Sequence, residues 1–149
     1  MSGGAAAAAL CVLAGLAGSL QVAVMSRLGE RVGIVEALAW ASVLTGVLAT
    51  LILLVARWSL GGFADSARQP PWLWIGALMG LFIVFTITVA GSRIGTAATV
   101  GILIAGQLAM GALIDRFGWF GSEQIGLGWP RLTGLALLAA GAALSLRTS

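Results

Sequence analysis

Apolar residues fill five long runs of the chain, separated by shorter stretches where arginine, glycine, proline and acidic residues gather. A hydrocarbon core about 30 Å thick is crossed by about 20 residues of helix. The runs predict membrane-spanning helices near residues 5–25, 33–56, 72–90, 94–114 and 131–147. The last is the shortest, and local thinning of the bilayer or packing on neighbouring helices would accommodate it.

The breaks between runs carry turn chemistry. "SRLGERVG" brings charge and two glycines, "RWSLGGFADSARQPP" brings Gly61-Gly62 and Pro70-Pro71, and "GSRIG" is a short connection. "DRFGWFGSEQIGLGWPR" is a longer irregular piece. Trp58, Trp72, Trp74, Trp119 and Trp129 fall at predicted helix ends, where an aromatic belt meets the headgroups. The fold class is therefore all-α: a polytopic membrane protein with five transmembrane helices, one integral membrane domain over residues 1–149.

Composition agrees. The 149 residues are 60% hydrophobic and 9% charged, with no histidine, whereas a soluble domain carries about a quarter charged residues. The formal charge of +3 comes from arginines placed singly or in pairs at run ends. That is loop-end usage rather than a nucleic-acid patch. Cys11 is the sole cysteine and forms no intrachain disulfide. No positive residue precedes the first apolar run, so that run is expected to be a retained helix rather than a cleaved signal. Without histidine, clustered carboxylates, a nucleophile elbow or a phosphate loop, no enzymatic activity, metal site or cofactor is expected.

Five spans place the termini on opposite sides. Arg57, Arg68, Arg116 and Arg131 then share the N-terminal side, and Arg27, Arg31, Arg93 and Arg147 the other. Orientation follows arginine and lysine bias, and here four face four. Either lipid interactions choose a single orientation, or the chain inserts both ways and pairs with an inverted copy. An odd-span unit duplicated and fused yields the five-plus-five inverted repeat of transporters. Unfused, it would reach that state as an antiparallel homodimer or with a sister chain.

Small residues line several helix faces: Gly76 and Gly80, Ala14 and Gly18 beside Gln21, Gly106 and Gly111 near Gln107, and Ala136, Ala140 and Ala143. Helices in lipid associate through such close contacts and through interhelical hydrogen bonds, so a tightly packed bundle is expected. Thr96, Thr99, Leu103 and Gln107 recur at helical spacing and share a face too polar for lipid. Gln107 is either an interhelical hydrogen-bonding group or a wall of a substrate path, and Gln21 carries the same two readings. Glu36 lies just inside the second helix with Trp40 one turn deeper. They are either a dipole-favoured carboxylate with a packing tryptophan, or a pair that meets a cation or carries a proton. Asp115-Arg116 is expected to be a solvated stop at a helix end.

"AGQLAMGALIDRFGWFG", Ala105 to Gly121, resembles the glycine-glutamine through aspartate-x-phenylalanine-glycine signature of the YdcZ-like inner-membrane proteins. These are five-helix members of the drug/metabolite transporter superfamily. Gly15, Gly18, Gln21 and "RLG" at Arg27–Gly29 agree, as do Arg93 and Gly95 in "GSRIGTA" and the small Ser42 and Gly46. Ser26 stands where relatives often carry asparagine. The resemblance implies a multi-pass exporter of the bacterial inner membrane, half the size of ten-helix transporters, with an undefined small-molecule or ion substrate. From the residue readings above, the candidate substrate contacts are Gln21, Glu36, Trp40, Thr99 and Gln107. A dual-orientation passive channel and a non-transport membrane subunit are the rival functions.

Overall fold

The computed structural model describes residues 3–126 and 128–146, and every regular element among them is helical. The helices are α1 (Gly3–Val32), α2 (Ile34–Arg57), α3 (Gly61–Ala67), α4 (Ile75–Ile94), α5 (Thr96–Phe117) and α6 (Trp129–Leu146). A 3-10 turn, Pro71–Trp74, leads into α4. Five helical stretches are long and apolar enough to cross a membrane: α1, α2, Pro71–Ile94, α5 and α6. Their mean hydropathy is 1.9 to 2.3 except in α6, where it is 1.2. The expected end of the last span, Arg147, lies outside the described residues.

Two elements differ from the sequence pattern. Helix α1 does not stop near residue 25 but continues through "SRLGERV" to Val32. At 1.5 Å per residue it is about 45 Å long, well beyond the hydrocarbon core. Charge ends a membrane span, not a helix, and Arg27 even donates to Glu30 along the helix at 3.0 Å. The helix breaks only at Gly33, whose φ of 104° suits glycine, and the single residue between α4 and α5 is Gly95 at φ 80°. The second difference is α3, in the expected loop. The Gly61 N–H meets Ser59 Oγ at its start, and Trp74 Nε1 donates to Ser66 O, tying the short helix to the next span.

The chain divides into two compact units, residues 1–24 with 90–149, and residues 25–89. In the second unit, the C-terminal part of α1 meets α4. Ser26, largely buried, donates from Oγ to Ile87 O at 3.4 Å. Three residues on, Gly29 lies so close to α4 that a Cβ there would stand 2.7 Å from Thr88 Cγ2. In the first unit, α5 packs along α6, with Gly101 against Ala142.

These contacts do not use the small-residue faces picked out by spacing. A Cβ added at Gly18, Gly76, Gly80, Gly106 or Gly111 would meet nothing within 4 Å. Ala136, Ala140 and Ala143 are exposed. The small faces picked out by spacing are thus not the ones these two contacts use. A glycine-rich helix offers several small faces, and periodicity does not say which one its own chain covers. Of α2, only Ala37 is buried.

Candidate functional site

The site is built at the C-terminal end of α5. The last carbonyls of a helix lack partners within it, and the following loop supplies them here. Gly118, left-handed at φ 65°, donates its N–H to Ile114 O. Ser122 Oγ reaches the same oxygen at 3.3 Å, Gln124 Nε2 reaches Phe117 O at 3.4 Å, and the Ile125 N–H reaches Asp115 O at 2.9 Å. The rings of Phe117 and Trp119 stack with centroids 5.4 Å apart. The loop therefore folds back on the helix it leaves, and α6 begins beside the end of α5.

That return brings Arg131 onto Asp115, where Nη2 donates to Oδ2. Asp115 is correspondingly not the solvated stop expected from the sequence, since its side chain is 26% exposed and bonded across to α6. The pair stands out electrostatically. Arg31, Arg57, Arg93 and Arg116 lie in last turns of their helices and Glu36 in a first turn, each placed as the helix dipole favours. Asp115 in a last turn and Arg131 in a first turn are the reverse. Each charge opposes its own helix and is offset by the other. Arg131 Nη1 is buried and has no acceptor among the described residues.

Next to the pair lies a cleft of about 160 Å³ between α5 and α6. Gln107, Gly111 and Asp115 line it from one face of α5, with Leu108 and Ala112 beside them, and Arg131 and Leu135 line it from α6. Gln107 and Asp115 are eight residues apart, about 12 Å along the helix. The small Gly111 and Ala112 leave the space between them. A larger groove of about 340 Å³ further along α5 and α6 has Ser145 as its one polar lining residue.

The candidate residues from sequence are placed as follows. Gln107 is exposed on the rim of the cleft, and Gln21 is exposed on α1. Among the described residues neither amide has a hydrogen-bond partner. Thr99, 4% exposed, lies two turns before Gln107 on α5 and donates from Oγ1 to Gly95 O at 2.8 Å. The shared face of α5 is thus covered at Thr99 and open at Gln107. Glu36 and Trp40 are exposed one turn apart on α2, in the other compact unit. Arg131 was absent from the sequence candidates. The signal that could have found it is two charges at the wrong ends of consecutive helices. No three His, Cys, Asp or Glu residues gather into a metal-binding group among the described residues.

A family described as "Putative inner membrane exporter, YdcZ" matches residues 6–144. The inner membrane protein YdcZ of Escherichia coli (strain K12) is 28% identical over 143 residues, 95% of each chain. No solved structure matches. The match runs through all five membrane-crossing helices, and the chain belongs to the YdcZ family of multi-pass inner-membrane proteins.

Proposed function

We propose that the protein exports small molecules as an antiparallel pair, with itself or with a sister chain, by alternating access. The observation that supports this most is the exposure of Gln21 and Gln107 on apolar, span-length helices, with no hydrogen-bond partner among the described residues. An amide left unpaired in hydrocarbon costs several kcal/mol (about 2–7). Both side chains therefore face something polar, either helices of a second subunit or a solvated path. The uncovered glycines of α4, Gly76 and Gly80, suit close approach of another helix. The even arginine balance favours a mate of opposite orientation.

In this reading Gln21 and Gln107 line the path, Thr99 packs beneath that face of α5, and Glu36 with Trp40 is a pair that meets a cationic group. The path opens to each side in turn as one half rocks against the other. The test joins a reporter at the C-terminus, read on both sides of the membrane, with flux into proteoliposomes. Signal on both sides and saturable, counter-transported flux are expected. One-sided signal removes the homodimer and leaves the sister chain. Flux that follows a gradient without saturation marks a passive channel, and absence of flux marks a subunit of another assembly.

A further inference from the structure

We infer that the Asp115–Arg131 end of the α5–α6 cleft binds a zwitterionic group, with an ammonium on Asp115 and a carboxylate or phosphate on Arg131. The pair uses one edge of each partner, Nη2 of Arg131 and Oδ2 of Asp115. The other edges are left over. Arg131 Nη1 is a buried donor with no acceptor, and Asp115 Oδ1 accepts from no protein group among the described residues. Both residues line the same cleft of about 160 Å³. A water molecule's share of liquid volume is about 30 Å³, so the cleft admits a group of several heavy atoms.

The choice of ligand follows from charge. An anion alone would meet Arg131 but also the adjacent carboxylate, and a cation alone would meet Asp115 but also the guanidinium. A ligand carrying both charges makes two close attractive contacts that outweigh the longer cross repulsions, and gives each spare edge its partner. Arg131 suits a carboxylate or phosphate through its planar donors. Two sources carry this chemistry: a free amino-acid-like solute and the ethanolamine headgroup of a membrane lipid. The cleft lies between two membrane-crossing helices, toward the end of α5 and the start of α6. This site goes beyond the transport reading and does not depend on it, since binding is measured at equilibrium without a gradient.

The full-length protein is placed in nanodiscs of phosphatidylcholine, whose quaternary ammonium has no N–H to donate. Binding of labelled L-alanine, acetate and methylammonium is measured by equilibrium dialysis. A parallel set contains phosphatidylethanolamine, read by lipid retention after detergent exchange. Saturable alanine binding identifies the solute source, and selective retention of phosphatidylethanolamine identifies the lipid source. In the first case, acetate and methylammonium should each bind at least about tenfold more weakly than alanine, as loss of one charge-assisted contact implies. In either case, Asp115→Asn with Arg131→Gln, which removes both charges, should lower zwitterion binding at least about tenfold. Acetate or methylammonium binding as well as alanine overturns the inference. So does zwitterion binding that survives the double substitution, or no binding of either zwitterion. If the double variant fails to fold, the comparison of zwitterion with half-ligands in the unaltered protein still decides. Zwitterion binding without flux would count against the transport reading alone.

Discussion

Arg131 reaches back across sixteen residues to Asp115, and each charge, opposed by the dipole of its own helix, is neutralised by the other. The side chains are 39% and 26% exposed, so solvent screens part of the attraction. Asp115→Ala and Arg131→Ala are each expected to destabilise by about 1–2 kcal/mol, since each leaves the other charge against its helix dipole. The double variant should lose less than the sum by about 0.5–1 kcal/mol. Arg116→Ala, at an exposed position the dipole favours, should change stability by less than about 0.5 kcal/mol. Unfolding in one detergent under one protocol checks all four proteins, and strict additivity would deny the coupling.

At the α1–α4 contact, Gly29 is a matter of space. Thr88 Oγ1 donates to Val84 O at 2.7 Å, which fixes the rotamer and aims the methyl group at α1. A Cβ at Gly29 would stand 2.7 Å from that methyl carbon. Gly29→Ala is expected to cost about 1–3 kcal/mol through overpacking. Thr88→Ser removes the methyl and keeps the hydroxyl, so adding it to Gly29→Ala should recover most of the loss. A melting temperature unmoved by Gly29→Ala, or no recovery in the double variant, would show that the helices part cheaply here.

The five spans were legible because a run of about 20 apolar residues has one common solution in lipid. Helix ends were less so. Arg27, Glu30 and Arg31 leave the hydrocarbon while the backbone stays helical to Val32, and hydropathy reports the first event only. Gln21 and Gln107 stood out because amides in apolar runs need partners, but nothing in the pattern says whether the partner is protein, water or ligand. Asp115 and Arg131 were both visible as residues and not as a pair. Their meeting depends on a loop that turns through left-handed Gly118, Phe120 and Gly121 and bonds back onto the carbonyls it has just left. That geometry has no periodicity. The same holds for the helix faces: Gly101 packs on Ala142 while Gly106, one turn along, is open.

Gln107 separates glue from path. Gln107→Ala removes both the donor and the acceptor at the rim of the α5–α6 cleft. If the amide faces a transported solute, flux should fall at least about tenfold, as expected for losing one well-aligned polar contact, while crosslinked dimer yield stays unchanged. Gln107→Asn should retain part of the flux because it keeps the chemistry on a shorter stem. Loss of dimer with flux per remaining dimer preserved would instead assign Gln107 to helix association.

The arginine balance makes a stronger demand, because it can be tipped. Arg57 and Arg68 belong to the group of four on the N-terminal side, so Arg57→Gln with Arg68→Gln leaves two against four. Arg68 lies 3.9 Å from Asp65 with both side chains more than three-quarters exposed, so its loss should hardly affect folding. Orientation follows the arginine excess, and a C-terminal reporter on this variant should give signal from one side only. Arg31→Gln with Arg93→Gln tips the balance the other way, again two against four, and should give signal from the opposite side. Each variant alone then lacks an inverted mate and should show little flux. Expressed together they supply both orientations, and flux should return. Full flux from either variant alone, with its reporter one-sided, would show that a mate of opposite orientation is not needed.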